Sequence, residues 1–382
     1  MGVGDEALGL CPKPRNIEGQ KESQKEGMRT YLDHNATTPL RGQARKAMAE
    51  AMDVMGNPSS VHAEGRAAKL MIERARVQVA ELIGCLPTQV IFTGSATEAA
   101  AMAVAQKHKH GGVFSALATE HDCLGVWSEQ PVAELKGLKA LVAVSAANSE
   151  TGIVRPDGAV PGQDAVAEGQ SVVSDITQMA GKMPVVYGGA RPAYMILSAH
   201  KLGGPKGVGA FINLTADDPT PLLIGGGQEQ NRRSGTENTI GIAGFGAAAA
   251  AAAQDVASGR WEEIEELRNI LESALAASEK KTIFVGKAAR RLPNTSCIIA
   301  EGWKGETQVM QMDLAGFAIS AGSACSSGKV KASTVLQAMD YDEIQAASAI
   351  RVSLGLETTR DDVLRFADAW RAKYDKHQPR AA

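Results

Sequence analysis

From Pro58 to Ile83, "PSSVHAEGRAAKLMIERARVQVAELI" returns apolar residues at helical spacing, and Gly84 is a natural stop. "QVIFTGS" then reads as a short buried strand, and "ATEAAAMAVAQKH" opens a helix directly behind it. Short apolar runs recur at "GGVFSALAT", "KALVAVSAA", "SVVSDI", "YMILSAH" and "GVGAFIN", with helix-compatible segments between several of them. Such alternation predicts an α/β domain on a mostly parallel sheet, with ligands at the strand C-termini. The seven alanines 247–253 and the following "WEEIEELRNILESALAA" predict one long connecting helix. Beyond it, "TSCIIA", "FAISAG", "AIRVSLG" and "TRDDVLRFADAWRAKY" predict a smaller α+β unit. The chain thus divides into an extension (1–29), a large domain (30–245) and a small C-terminal domain (246–382).

Composition narrows the function classes. Of 382 residues 44% are hydrophobic and the net charge is −3, which argues against nucleic acid or an anionic membrane as the main partner. No apolar run is expected to reach the roughly 20 residues of a membrane helix. The Gly-, Lys- and Glu-rich opening lacks the apolar region of a secretory signal, so a cytoplasmic location is expected. Five cysteines, Cys11, Cys85, Cys123, Cys297 and Cys325, form no CxxC pair, and neither a disulfide framework nor a structural metal site is indicated. No GxxxxGK[ST] or strand-following GxGxxG is present, and "KHKH" (107–110) reads as a solvated helix end.

What remains is a set of strand ends that carry polar residues. In "FTGSATE", Ala96 and Thr97 stand where a strand becomes a helix, so Thr97 either caps that helix or helps seat a phosphate. "VVSDITQ" brings Asp175 and Gln178 to another strand end, and "LSAHK" brings Ser198, His200 and Lys201 to a third. An ammonium at a buried strand end is costly unless it has a task. A lysine, an aspartate and a helix N-terminus are the three fixtures that pyridoxal 5'-phosphate needs, for its imine bond, its pyridine nitrogen and its phosphate.

"YLDHNATTP", "GNPSSVHAEGR", "ATEH", "SETG", "DITQMAGK", "SAHKLGGPKGVGA", "GGGQEQNRRSGTEN", "SAGSACSSG" and "IRVSLG" follow one another as they do in cysteine desulfurases of the NifS/IscS type. From about Tyr31 onward the chain resembles these class V, fold-type-I pyridoxal-phosphate enzymes. The resemblance implies a seven-stranded, mostly parallel sheet in the large domain. It also implies that Lys201 bonds the cofactor, that His121 stacks on its ring, and that Asp175 and Gln178 hold the ring nitrogen and phenolic oxygen. Ala96, Thr97, Ser198 and His200 correspond to the phosphate cup. Thr236 corresponds to a residue that reaches the phosphate of a second subunit, which implies a homodimer. Arg351 matches the clamp for the substrate carboxylate, with Asn35 near it. Cys325 corresponds to the nucleophile that takes sulfur from L-cysteine, leaves alanine, and passes the sulfur to an iron–sulfur scaffold or another acceptor protein. It is also expected to ligate a cluster transiently. Cys123, two residues from His121, is the second candidate thiol, and Cys85 and Cys297 read as core.

The chain departs from the family at Ser149, where a second asparagine is usual, leaving the ring contact to Ser149 or Asn148. It also departs at Ala99–Ala101 and Gln228. The passage from His121 to Asn148 is short, which is expected to loosen the sheet edge or the wall above the ring. Two other readings of the residues stay open. One is a related lyase or aminotransferase, acting for example on selenocysteine or kynurenine-like substrates; the other is a non-catalytic dimeric scaffold.

Overall fold

A computed structural model describes residues 29–278, 281–322 and 332–377. Strand β1 (Thr30–Tyr31) precedes helices α1 (Gly42–Met52) and α2 (Ala63–Ile83). In α2, Ala68, Ile72, Ala75 and Val79 are buried on one stripe, the ring of His62 accepts from Gly65 N at the start, and Gly84 ends the helix at φ +67°. Then come β2 (Val90–Thr93), α3 (Ala96–Ala105), β3 (Phe114–Ala116), the four-residue α4 (Asp122–Gly125) and β4 (Leu141–Ser145). Strands β5 (Ser171–Asp175), β6 (Tyr194–Ser198) and β7 (Gly209–Asn213) follow.

These strands form a sheet in the order β2-β7-β6-β5-β4-β3. The pairs from β6 through β3 are parallel, and only β7 runs the other way. The register sets Ser145 beside Asp175, Asp175 beside Ile196, and Ser198 beside Gly209, so three polar strand ends share one rim. Among the described residues the sheet has six strands, not the expected seven. On the β3 edge, the short passage that leads to β4 folds as α4 and loops and supplies no further strand. That edge is nevertheless closed: Glu129 N donates to Phe114 O (3.0 Å), and Ser128 Oγ accepts from Ala116 N (3.1 Å).

Alternation along the strands feeds two cores. Phe92, Met195, Leu197, Ala210 and Ile212 face α1, α2 and the apolar side of α5 (Thr239–Ala257). Ile91, Tyr194, Ile196 and Phe211 face α3 on the other side. Helix α5 is by length and composition apolar enough to cross a membrane, contrary to expectation. Here it is a core helix, with Phe245, Ala248, Ala249 and Ala252 in the same cluster as α2 residues. The expected boundary at 245/246 falls inside α5, whose apolar residues on both sides of it belong to this core.

The predicted single long helix is two. Gly259 (φ +75°) takes a left-handed conformation that favours glycine, and α6 (Arg260–Leu275) starts in a new direction. After it come β8 (Ile283–Phe284), β9 (Thr295–Ile299), α7 (Gly305–Leu314), β10 (Phe317–Ala318) and β11 (Ser320–Ala321). The described chain closes with α8 (Thr334–Ala338), α9 (Glu343–Ala347), β12 (Ala349–Ser353) and α10 (Arg360–Tyr374). An antiparallel sheet in the order β11-β12-β9-β8 packs on α6 and α10 around Trp303, Phe366 and Trp370. Residue Leu32 joins this second core, because β1 pairs in parallel with β10. The KHKH segment is not wholly solvated either: the His110 ring nitrogens meet Ser171 Oγ (2.9 Å) and Tyr194 OH (3.0 Å).

Candidate active site

The shared rim opens into a cavity of about 390 Å³. Lys201 enters it from the turn after β6, where its Nζ donates to the carbonyls of Asn35 (2.6 Å) and Ala36 (2.8 Å). Asp175 stands at the end of β5, with its carboxylate accepting from Thr177 N (2.8 Å). His121 caps α4: its Nδ1 accepts from Cys123 N (3.1 Å), which leaves the proton of a neutral imidazole on Nε2. Ala96 and Thr97 line the cavity at the first turn of α3. The cap of that helix is Ser95, whose hydroxyl accepts from Glu98 N (3.1 Å), so Thr97 is not the capping residue. Gly209 lets β7 pass beneath this turn, since a Cβ there would meet Ser95 C at 2.5 Å and Ala96 N at 2.9 Å.

Ser198 and His200 line the same wall. Burial, and then the charges of Lys201 and Lys206, pull the His200 imidazole down to about 4, so it is uncharged at neutral pH. Its Nδ1 lies 3.2 Å from Thr37 Oγ1. Arg351 comes from the middle of β12 and is 3% exposed. It donates to Ser149 O and pairs with Asp33, both at 3.0 Å, while its buried Nε has no partner. Arg351 lines the cavity, and a guanidinium there suits a carboxylate ligand.

Not every expected residue reaches the cavity. Ser149 lines it, but Asn148 does not. The Asn148 carboxamide is spent on its own turn: Oδ1 accepts from Glu150 N, Thr151 N and Thr151 Oγ1, and Nδ2 donates to Thr119 O. Of the two open candidates for the ring contact, the geometry leaves Ser149. Thr236 lies apart, in a small cleft with Arg233 and Glu237. Asn35 lines the cavity as a buried hub, with Nδ2 on Thr295 Oγ1 (2.9 Å). Cys325 lies outside the described residues; Ser320, upstream of it, lines the cavity. Cys123 also lines it, but burial raises its thiol pKa, which disfavours the thiolate. Burial raises the Cys297 thiol, as fits a core residue, and pushes Cys85 up to about 12, although Cys85 is only part-buried against the core.

Sequence reasoning missed several residues around this cavity. Asp33 steadies Arg351. Glu120, behind the rim, accepts from Ser145 N and Oγ, and burial lifts its carboxyl to about 7. Lys182 is buried against Asn35 and Gln178. Glu120 and Lys182 both stand inside recognisable motifs, "ATEH" and "DITQMAGK", but a partner of each, Ser145 and Asn35, comes from a distant segment.

A strand-end lysine, a strand-end aspartate and a helix N-terminus around one polar cavity, on a mixed sheet with a single antiparallel strand, define a fold-type-I pyridoxal-phosphate enzyme. The chain belongs to the aminotransferase class-V family, which matches residues 30–139 and 130–366. It is 36% identical over 371 residues to a cysteine desulfurase of Cereibacter sphaeroides, covering 89% of this chain and 94% of that protein. It is 33% identical to an IscS-like cysteine desulfurase of Mycobacterium tuberculosis, covering 87% and 93%. Among solved structures, a NifS-like protein from Rickettsia africae superposes with a TM-score of 0.81 at 28% identity, over 91% of this chain and 99% of that one.

Proposed function

We infer that this chain is a pyridoxal-phosphate-dependent cysteine desulfurase. L-cysteine and the Cys325 thiol give L-alanine and a Cys325 persulfide; the carbon–sulfur bond of the substrate breaks, a sulfur–sulfur bond forms, and the thiol proton is conserved. The observation that carries this reading is Lys201 Nζ held by two backbone carbonyls in the wall of a cavity that Asp175, His121 and Arg351 also line.

The bound cofactor supplies an electron sink that makes the substrate's Cα proton and its Cβ–sulfur bond labile. The chain's residues do the rest. Asp175 gives the ring nitrogen a carboxylate partner, the Gln178 carboxamide offers a donor for the phenolic oxygen, and the α3 start with Thr97, Ser198 and uncharged His200 seats the phosphate. Arg351 lines the cavity where it can meet the substrate carboxylate and is oriented by Asp33. His121 can hold or move a proton at Nε2.

The same reading extends to partners. Leu222, Leu223 and the strongly exposed Ile224 form an apolar strip just before the Thr236 segment, which supports a second copy of the chain docking there. Sulfur then passes to an acceptor protein such as an iron–sulfur scaffold. Three free thiols among the described residues fit a reducing compartment, the cytoplasm. The test is borohydride reduction of the holoenzyme, and mass spectrometry after cysteine treatment. The reduced label is expected on Lys201 and an added sulfur on the peptide containing Cys325. A label elsewhere, or a Cys325→Ser variant that forms alanine at the full rate, overturns the reading.

A further inference from the structure

Lys182 is 3% exposed, a rare position for a lysine, and among the described residues no carboxylate bonds to its amine. Its Nζ donates to Gln178 Oε1 (2.8 Å) and to Asn35 Oδ1 (3.2 Å). Burial, and then the cationic neighbours Lys201 and Arg351, bring its pKa well down, toward a neutral amine. The ring of His34 is held down to about 4, chiefly by burial, so it adds no charge. A neutral amine with two N–H bonds to two carboxamide oxygens is a satisfied arrangement in such a place. An unpaired ammonium is not.

The consequence lies in the amides. A glutamine side chain has two ends of nearly equal shape, and its orientation is decided by the groups it meets. With Oε1 tied to Lys182, the NH₂ end of Gln178 must face the other way. One of its N–H groups donates to Asn35 O (3.0 Å), the same carbonyl that accepts from Lys201 Nζ. Asn35 does not depend on Lys182 in the same degree, because its Oδ1 also accepts from Asn294 Nδ2 (3.1 Å). Among the described residues, Lys182 is the one donor to Gln178 Oε1.

We propose that Lys182 is a positioning residue: its buried amine fixes the carboxamide of Gln178 so that an N–H, not an oxygen, faces the cofactor's phenolic oxygen. The inference rests on the cofactor reading above. A fixed donor on that oxygen favours its anionic form and lowers the pH at which the cofactor's visible band changes. Loosening the donor raises that pH.

The experiment is a double-mutant cycle on the holoenzyme with Lys182→Met and Gln178→Leu, read as the pH midpoint of the visible absorbance band. Lys182→Met in the native background is expected to raise the midpoint by about one pH unit. In the Gln178→Leu background it is expected to add almost nothing, because the amide through which it acts is gone. The Lys182→Gln variant keeps one donor for Gln178 and is expected to give a smaller shift; it serves equally if the methionine variant does not fold. No shift for either variant, or equal shifts in both backgrounds, overturns the inference while the native band and the cofactor reading stand. A native chain with no visible band after loading overturns both.

Discussion

One face of the central sheet is built in two ways. Under β2, β7 and β6 it is covered by α1, α2 and α5, of 11, 21 and 19 residues, in a continuous core. Under β4 the same face presents Val142 and Val144 to a small cluster with Leu135 and Ala140, drawn from loops and a three-residue helical turn. Between β4 and β5 the crossover runs through a single turn of 3₁₀ helix where a long α-helix is the usual solution. The active site straddles the two halves. Lys201 and Ser198 stand on the helix-backed half, and His121, Ser149 and Asp175 on the lean one. The lysine and phosphate seat thus rest on regular packing, whereas the ring-facing residues depend on hydrogen-bonded turns such as that of Asn148. Stability and chemistry can therefore be perturbed separately in the two halves.

The largest effect is expected in the helix-backed half. Phe245 is fully buried in α5, edge-on to Phe92 at 6.1 Å, so Phe245→Ala should cost about 4 kcal/mol in denaturant unfolding. Leu135 is equally buried, but loop segments surround it and can close over the gap. Leu135→Ala should cost only about 2 kcal/mol, the low end for such truncations. Equal losses at the two sites would erase the distinction between the halves.

The helix-backed half was also the more legible one. Long amphipathic segments such as α2 declare themselves by period, and "LSAHK" placed Lys201 at a strand end because an apolar run stops there. Several misses depend on partners remote in sequence, and others on a choice between neighbouring residues of one type. Strands of two residues, as in β1 and β10, carry no periodicity, and only their pairing defines them. One of the two partners of Lys182, Asn35, lies far away along the chain. Ser95 and Thr97 are both capping residue types, and Asn148 and Ser149 both polar turn residues, so geometry alone distinguishes them. The seventh strand was an expectation from family resemblance, and the short passage after His121 that argued against it was visible in the sequence.

A second, pH-dependent effect belongs to the lean half, which holds one buried carboxyl, Glu120, and one part-buried, Glu150. Burial raises Glu120 and Glu150 each to about 7, from 4.5 in the unfolded chain. Between those values the unfolded chain holds fewer protons than the folded one, so stability is full below about pH 4.5 and is lost as pH rises toward 7. Glu150 accepts a hydrogen bond from Ser333 Oγ, a role that a glutamine oxygen can keep. Glu150→Gln should leave stability at pH 4.5 unchanged and raise it at pH 8 by on the order of 2 kcal/mol. With Glu120 still present, the slope measured by thermal melts across this range should shrink by about half. An unchanged slope would mean that Glu150 does not hold its proton in the folded chain.

The smallest effect tests how the lean half ends. A strand at a sheet edge exposes unpaired main-chain groups that invite another chain. Here β3 is shielded by the segment Ser128–Gln130. The main chain of Glu129 bonds Phe114 O, the Ser128 hydroxyl accepts from Ala116 N, and Gln130 O accepts from Ser115 Oγ. Because Ser128 is exposed, water can partly replace its hydroxyl, so Ser128→Ala should cost only about 1 kcal/mol. The sharper readout is local. Amide exchange at Ala116 should quicken by about tenfold while the amides of β6 keep their protection, since the bond removed lies at the edge and nothing in the helix-backed half leans on it. Exchange that quickens across the whole sheet would show instead that this edge is cooperative with the rest, and that the two halves fold and open as one.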